Sequence, residues 1–174
     1  LLKNEPGSVS WAGGSAGGTD HFGAGLIAMA AGVDPTKINN IAYSGGGEAL
    51  AAILGSQVTA GISSYGEVEP QFKAGTLRLL AVSSAERIEG ADAPTLKESG
   101  LDVGLENWRM VAAAPGISEE QKAAITADVE KRVKSATWQE TLKTKKWKDT
   151  FIAGKAVEEQ IDKDIAANES MLKD

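Results

Sequence analysis

Apolar residues along the chain come in short runs that alternate with stretches of helical spacing. Val9 to Ala12 is a strand-length run followed at once by glycines. His21 to Ala31 carries Phe22, Leu26 and Met29 at helical spacing, with Gly32 as the stop. Ile38 to Ser44 predicts a second strand. Glu48 to Leu54 predicts a helix with Leu50, Ile53 and Leu54 on one face, ended by Gly55. Val58 to Ser63 predicts a third strand, and Glu67 to Ala74 a short helix with Pro70 near its first turn. Leu77 to Ser83 (LRLLAVS) is almost unbroken apolar, the pattern of a strand buried on both faces. Thr95-Leu96-Lys97-Glu98 has capping-box spacing for a short helix that Gly100 closes.

This β-α-β-α-β-α-β order predicts an α/β fold, a mostly parallel sheet with helices on both faces. Ligands of such sheets sit beyond the carboxyl ends of the strands. Three turns leave by that route: Gly13 to Thr19, Ser44 to Gly47 and Ser63 to Gly66, all rich in Gly and Ser. The pattern changes after about residue 105. Trp108 to Ala113 predicts one more strand, ended by Pro115-Gly116. Helix follows, opened by the capping box Ser118-Glu119-Glu120-Gln121, with a stripe of Ile125, Val129, Val133 and Ala136. A last helix over Ala156 to Leu172 carries Val157, Ile161, Ile165 and Leu172. These helices have apolar faces and one local strand to cover. That leaves docking on a second copy of the chain open.

The 174 residues carry a net charge of −6 and no cysteine, which removes disulfides, thiolate metal sites and cysteine nucleophiles. No basic stripe suggests nucleic acid; Lys143, Lys145, Lys146 and Lys148 around Trp147 read as a solvated helix face. No apolar run is long enough to span a membrane. The start at Leu1 reads as internal, without a signal peptide.

The first turn, Gly13-Gly14-Ser15-Ala16-Gly17-Gly18-Thr19, is the main candidate. Strand, turn and helix entry together place free N–H groups and the positive helix end around an anion. Ser15 and Thr19 add hydroxyls, and Thr19 is a possible helix cap. Gly13, Ser15 and Gly17 also match the Gly-x-Ser-x-Gly elbow of a serine hydrolase, which is the alternative reading. The rest of that triad is missing: the single histidine, His21, follows Ser15 by six residues on the same helix. There is no Gly-Lys-Ser/Thr for a P-loop, and the dinucleotide fingerprint fits only with Ala12 as its first glycine. No cofactor or metal is implied. Tyr43-Ser44-Gly45-Gly46-Gly47-Glu48 is a second ligand turn or simply a helix entry, and Ser63-Ser64-Tyr65 a third. Trp108, Trp138 and Trp147 read as packing residues, and Trp11 as the aromatic near a ligand.

Gly13 to His21, then Ala42-Tyr43-Ser44-Gly45-Gly46-Gly47-Glu48-Ala49, then Leu77 to Ser84, Pro94 to Glu98 and Asn107 to Gly116 follow one another in an order that resembles the periplasmic solute-binding receptors of tripartite tricarboxylate transporters, closest to the citrate-type branch. The resemblance implies a two-lobed Venus-flytrap fold of the type II periplasmic-binding-protein kind, of which this chain is a C-terminal part. Residues 1–105 would be the second lobe, and 106–174 a return strand and helices of the first. It implies a non-enzymatic periplasmic receptor that captures a small di- or tricarboxylate and hands it to the membrane subunits of the transporter. The family's carboxylate-binding turn maps onto Ser15, Ala16, Gly17, Gly18 and Thr19. Gly14, Tyr43, Ser44 and Ser63 complete the candidate site. Many relatives carry an aspartate where this chain has Ser63, which leans toward a ligand without nitrogen.

Overall fold

The structure is a computed structural model that describes the backbone of residues 1–173 and the side chains of residues 1–169. It divides into two units, residues 1–107 and 108–174.

In the first unit, β1 (Ser10–Gly13), β2 (Asn39–Ala42) and β3 (Ala60–Gly61) form a parallel sheet in the order β2-β1-β3. Ser10 to Gly13 stand opposite Asn39 to Ala42, and Trp11 and Ala12 opposite Ala60 and Gly61. Bonds from Thr59 N–H to Ser10 O and from Ile62 N–H to Ala12 O extend the short third strand. The chain steps from β1 to β2 through α1 (Thr19–Ala30), then back across β1 to β3 through α2 (Gly46–Leu54). Right-handed crossovers of opposite direction put α1 and α2 on opposite faces. Ala12, Ala49, Ala52 and Val58 form the buried cluster on the α2 side, with Ile41, Tyr43 and Ile53 packed against it. Small side chains let α2 lie close to the sheet, and a Cβ at Gly61 would run into Ile53. On the α1 side Ala24 and Ala28 are buried. There a Cβ at Gly23 would press on Ile62 and Leu105 at 3.1 Å.

Helix α3 (Tyr65–Lys73) begins earlier than its apolar spacing predicts, so Pro70 falls inside it rather than in its first turn. Leu77 to Ser83 does not form the expected strand. Only Val82 pairs, in an isolated parallel bridge to Thr95, and Leu80 is 63% exposed. An apolar run becomes a strand only beside a ladder partner, and no strand of the described residues lies along this one. Thr95 to Glu98 closes its capping box, with Glu98 N–H on Thr95 Oγ1 at 3.0 Å and Thr95 N–H on Glu98 Oε2 at 2.7 Å, but it makes a turn and not a helix. Gly100, at φ 86°, ends that turn before another can form.

The Glu98 carboxylate is held below its ordinary value of 4.5, first by the Thr95 N–H and then by Arg87. A depressed carboxylate contributes its stability above its unfolded value and loses it as pH falls through the folded one. The protection factor of the Thr95 amide should therefore fall as acid protonates Glu98, and Glu98→Gln should remove that pH dependence. Equal acid sensitivity in the variant would refute this.

In the second unit, residues 108–113 form no strand, for want of a neighbouring ladder among the described residues. The capping box at Ser118 and Gln121 opens α4 (Glu119–Val133) as expected. The helix then stops. Ser135 caps a new one, α5 (Ala136–Lys145), so Ala136 is not part of the stripe of Ile125, Val129 and Val133. Trp138 and Trp147 meet at a ring distance of 6.4 Å, and Trp108 donates to Asp164 Oδ2 at 2.6 Å. In α6 (Lys155–Lys173) Val157 and Ile161 are half-buried and Ile165 is exposed; the Leu172 side chain lies outside the described residues.

Candidate functional site

The strand order reverses at β1, because its two neighbours are reached in opposite directions. A crevice opens at such a switch point beyond the carboxyl ends of the strands. The turns after β1 and β3 flank it.

The first turn is built by close approach. At Gly13 a Cβ would lie 2.6 Å from the Asp20 Cβ. Asp20 Oδ2 accepts the Gly14 N–H at 2.8 Å, and Gly18 N–H closes the turn on Ser15 O at 2.9 Å. Gly17 takes φ 75° and donates its N–H to His21 Nδ1 at 3.0 Å. His21 Nδ1 is therefore an acceptor directed into the turn. Helix α1 starts with Gly18 as its N-cap and has no side-chain cap, contrary to the expectation for Thr19. Thr19 is instead the first helical residue, its hydroxyl directed to Asn107 Oδ1 at 3.4 Å. The N–H groups of Thr19, Asp20 and His21 belong to the unbonded first turn of the helix. Among the described residues no hydrogen bond takes the N–H of Ser15 or Ala16, and both residues are exposed. These are the donors open to an anion. Those of Gly14, Gly17 and Gly18 are already spent.

In the second turn, Ser44 N–H is taken by Glu48 Oε2 at 3.1 Å. Tyr43 donates its N–H to Gly13 O at 3.1 Å and packs against the apolar cluster, which makes it a brace between the first two turns. In the third turn Ser63 Oγ donates to Glu67 Oε2 at 2.9 Å. Trp11 lies on the sheet face opposite Ala12, with its buried Nε1 unpartnered among the described residues. Asp20 and Glu67, which bond Gly14 and Ser63 in the candidate turns, are residues that sequence reasoning missed. Their signal was an acid in the first turn of each helix that follows a strand, facing back into the turn before it.

An α/β unit with an uncapped helix N-terminus at a topological switch point is an arrangement suited to a small anion. The family model for the tripartite tricarboxylate transporter family receptor (TctC) matches residues 1–173. The chain belongs to that family of solute-binding receptors. It is 36% identical over 86 residues to a UPF0065 protein of Bordetella bronchiseptica, covering 49% of this chain and 26% of that one. A TctC solute-binding protein from Polaromonas, solved without ligand, superposes with TM-score 0.76 at 28% identity, over 99% of this chain and 59% of its own. The fold is shared with R. palustris Rpa4515, solved with adipate (TM-score 0.81, 23% identity, 99% and 57% coverage). It is shared also with the periplasmic binding protein BugD (TM-score 0.58, 20% identity, 83% and 48% coverage). The chain thus spans under three-fifths of the length of these structures and about a quarter of the curated relative.

A serine hydrolase finds no support. His21 Nδ1 is engaged by Gly17, and among the described residues Ser15 Oγ has no bond to it.

Proposed function

We propose that this chain supplies one wall of a periplasmic receptor cleft that captures a small di- or tricarboxylate of citrate type, without chemistry on it, and delivers it to the membrane subunits of a tripartite transporter. The observation that carries this is the first turn: the N–H groups of Ser15, Ala16 and the start of α1 stand uncapped at the switch point. Preorganised N–H donors at a helix end are what a carboxylate needs in place of its water. Ser15, Ala16 and Thr19 hold it. Gly14, Gly17 and Gly18 shape the turn, and Tyr43, Ser44 and Ser63 border it. The adipate in the R. palustris relative supports a carboxylate ligand. In this reading residues 1–105 act as the second lobe and 106–174 belong to the first, and the separation of the chain into units 1–107 and 108–174 supports it.

Citrate at about 100 times its Kd should stabilise the full-length receptor by about 2.7 kcal/mol, a rise in Tm of several degrees. A panel of di- and tricarboxylates that moves the Tm of the full-length protein nowhere would refute the proposal.

A further inference from the structure

The turn after β3 carries an exposed carboxylate, Glu67, whereas the acid of the first turn, Asp20, is engaged by the Gly14 N–H. Ala12 stands opposite Gly61, so the turns after β1 and β3 leave the same end of two neighbouring parallel strands, which in a sheet lie about 4.8 Å apart. At the first turn the open groups are N–H donors. At the third, the Ser63 hydroxyl donates to Glu67 Oε2 at 2.9 Å, and the carboxylate adds acceptors beside the N–H groups at the start of α3. Among the described residues Glu67 makes no ion pair, and its side chain is exposed. A carboxylate has about four lone-pair positions, and one bond from Ser63 leaves several of them open. The same oxygen lies 2.9 Å from where a Cβ on Gly46 would be, so a glycine there keeps the second turn clear of it.

We propose that Glu67, positioned by Ser63, is the specificity-determining residue of this cleft: it accepts a hydrogen bond from a hydroxyl or ammonium group of the ligand, a few atoms from the carboxylate held at the first turn. The inference rests on the receptor reading above and deepens it. A ligand with only carboxylates brings like charge against Glu67 and leaves it without a donor. A hydroxy- or amino-carboxylate satisfies both turns at once. Ser63 alone leans toward a ligand without nitrogen, but Glu67 restores an acid to the third turn and makes a donor the selected feature.

The test is calorimetric titration of the full-length receptor with two sets of probes: citrate against tricarballylate, which is citrate without its hydroxyl, and malate and aspartate against succinate. The donor-bearing member should bind about tenfold more tightly than its donor-free counterpart, the worth of one hydrogen bond to a charged group. Glu67→Ala should abolish that preference, and Glu67→Gln reduce it, with melting temperatures close to wild type because the residue is exposed. A larger gain for malate identifies a hydroxyl; a larger gain for aspartate, an ammonium. Equal affinities within both sets, or a preference that survives in Glu67→Ala, would overturn the proposal and leave the receptor reading standing. Failure of every carboxylate to bind would overturn that reading and this proposal with it.

Discussion

Gly13→Ala is expected to destabilise the first unit by about 1–3 kcal/mol and Gly13→Val by more, through overpacking at a place with no give. The new Cβ would meet the Cβ of Asp20 at 2.6 Å, an atom attached directly to the backbone of α1. No rotamer of Asp20 removes that contact. Either the end of β1 or the first turn of α1 has to move, and both belong to the packed sheet unit. Gly14→Ala is the internal control. There the nearest atom is Asp20 Oδ2 at 3.3 Å, the mobile end of a side chain, and the cost should stay near 1 kcal/mol or below. Urea unfolding of the two variants beside wild type measures the difference. Equal midpoints for Gly13→Ala and Gly14→Ala would show that Asp20 is not the wall this geometry makes it.

The apolar periodicity made the sheet unit legible because its information is local. Ala12, Ala49, Ala52 and Val58 sit at the spacings their elements demand, and each strand ends in a glycine turn. Leu77 to Ser83 was misread because an apolar run specifies willingness to be a strand, and the ladder that makes it one is a property of another segment. Trp108 to Ala113 failed for the same reason. The break at Ser135 escaped because a stripe read at helical spacing runs straight across a cap: Val133 and Ala136 are in phase although a new N-terminus lies between them.

At the site, the glycine turn was legible as an anion cradle and the spending of its donors was not. Asp20 and His21 take Gly14 and Gly17 through side chains whose direction depends on the turn already being folded. Residue type also hid Glu67. The third turn itself holds Ser63, and the acid that shares its position in space comes four residues later, one helical turn along α3.

Gly18→Ala should separate binding from folding in the opposite sense to Gly13→Ala. The backbone of Gly18, at φ −82° and ψ 175°, is open to any residue, so no conformational strain arises. The added Cβ would instead lie 2.9 Å from Ser15 O, the same carbonyl that accepts the Gly18 N–H at 2.9 Å. Relief requires that carbonyl to swing away, and the peptide that carries it is the one whose other end is the Ala16 N–H. The turn is largely exposed, so stability should fall by about 1 kcal/mol, the worth of the one bond weakened. The carboxylate loses more. The Ala16 N–H that reorients forfeits a hydrogen bond to a charged group, about 1.5–3 kcal/mol, so affinity in the full-length receptor should drop roughly tenfold to a hundredfold. Gly47→Ala, with no atom within 4 Å of its new Cβ, should bind like wild type. Calorimetry on both variants decides the point, since a Gly18→Ala receptor with unchanged affinity would mean that the anion is not held by the N–H groups of this turn.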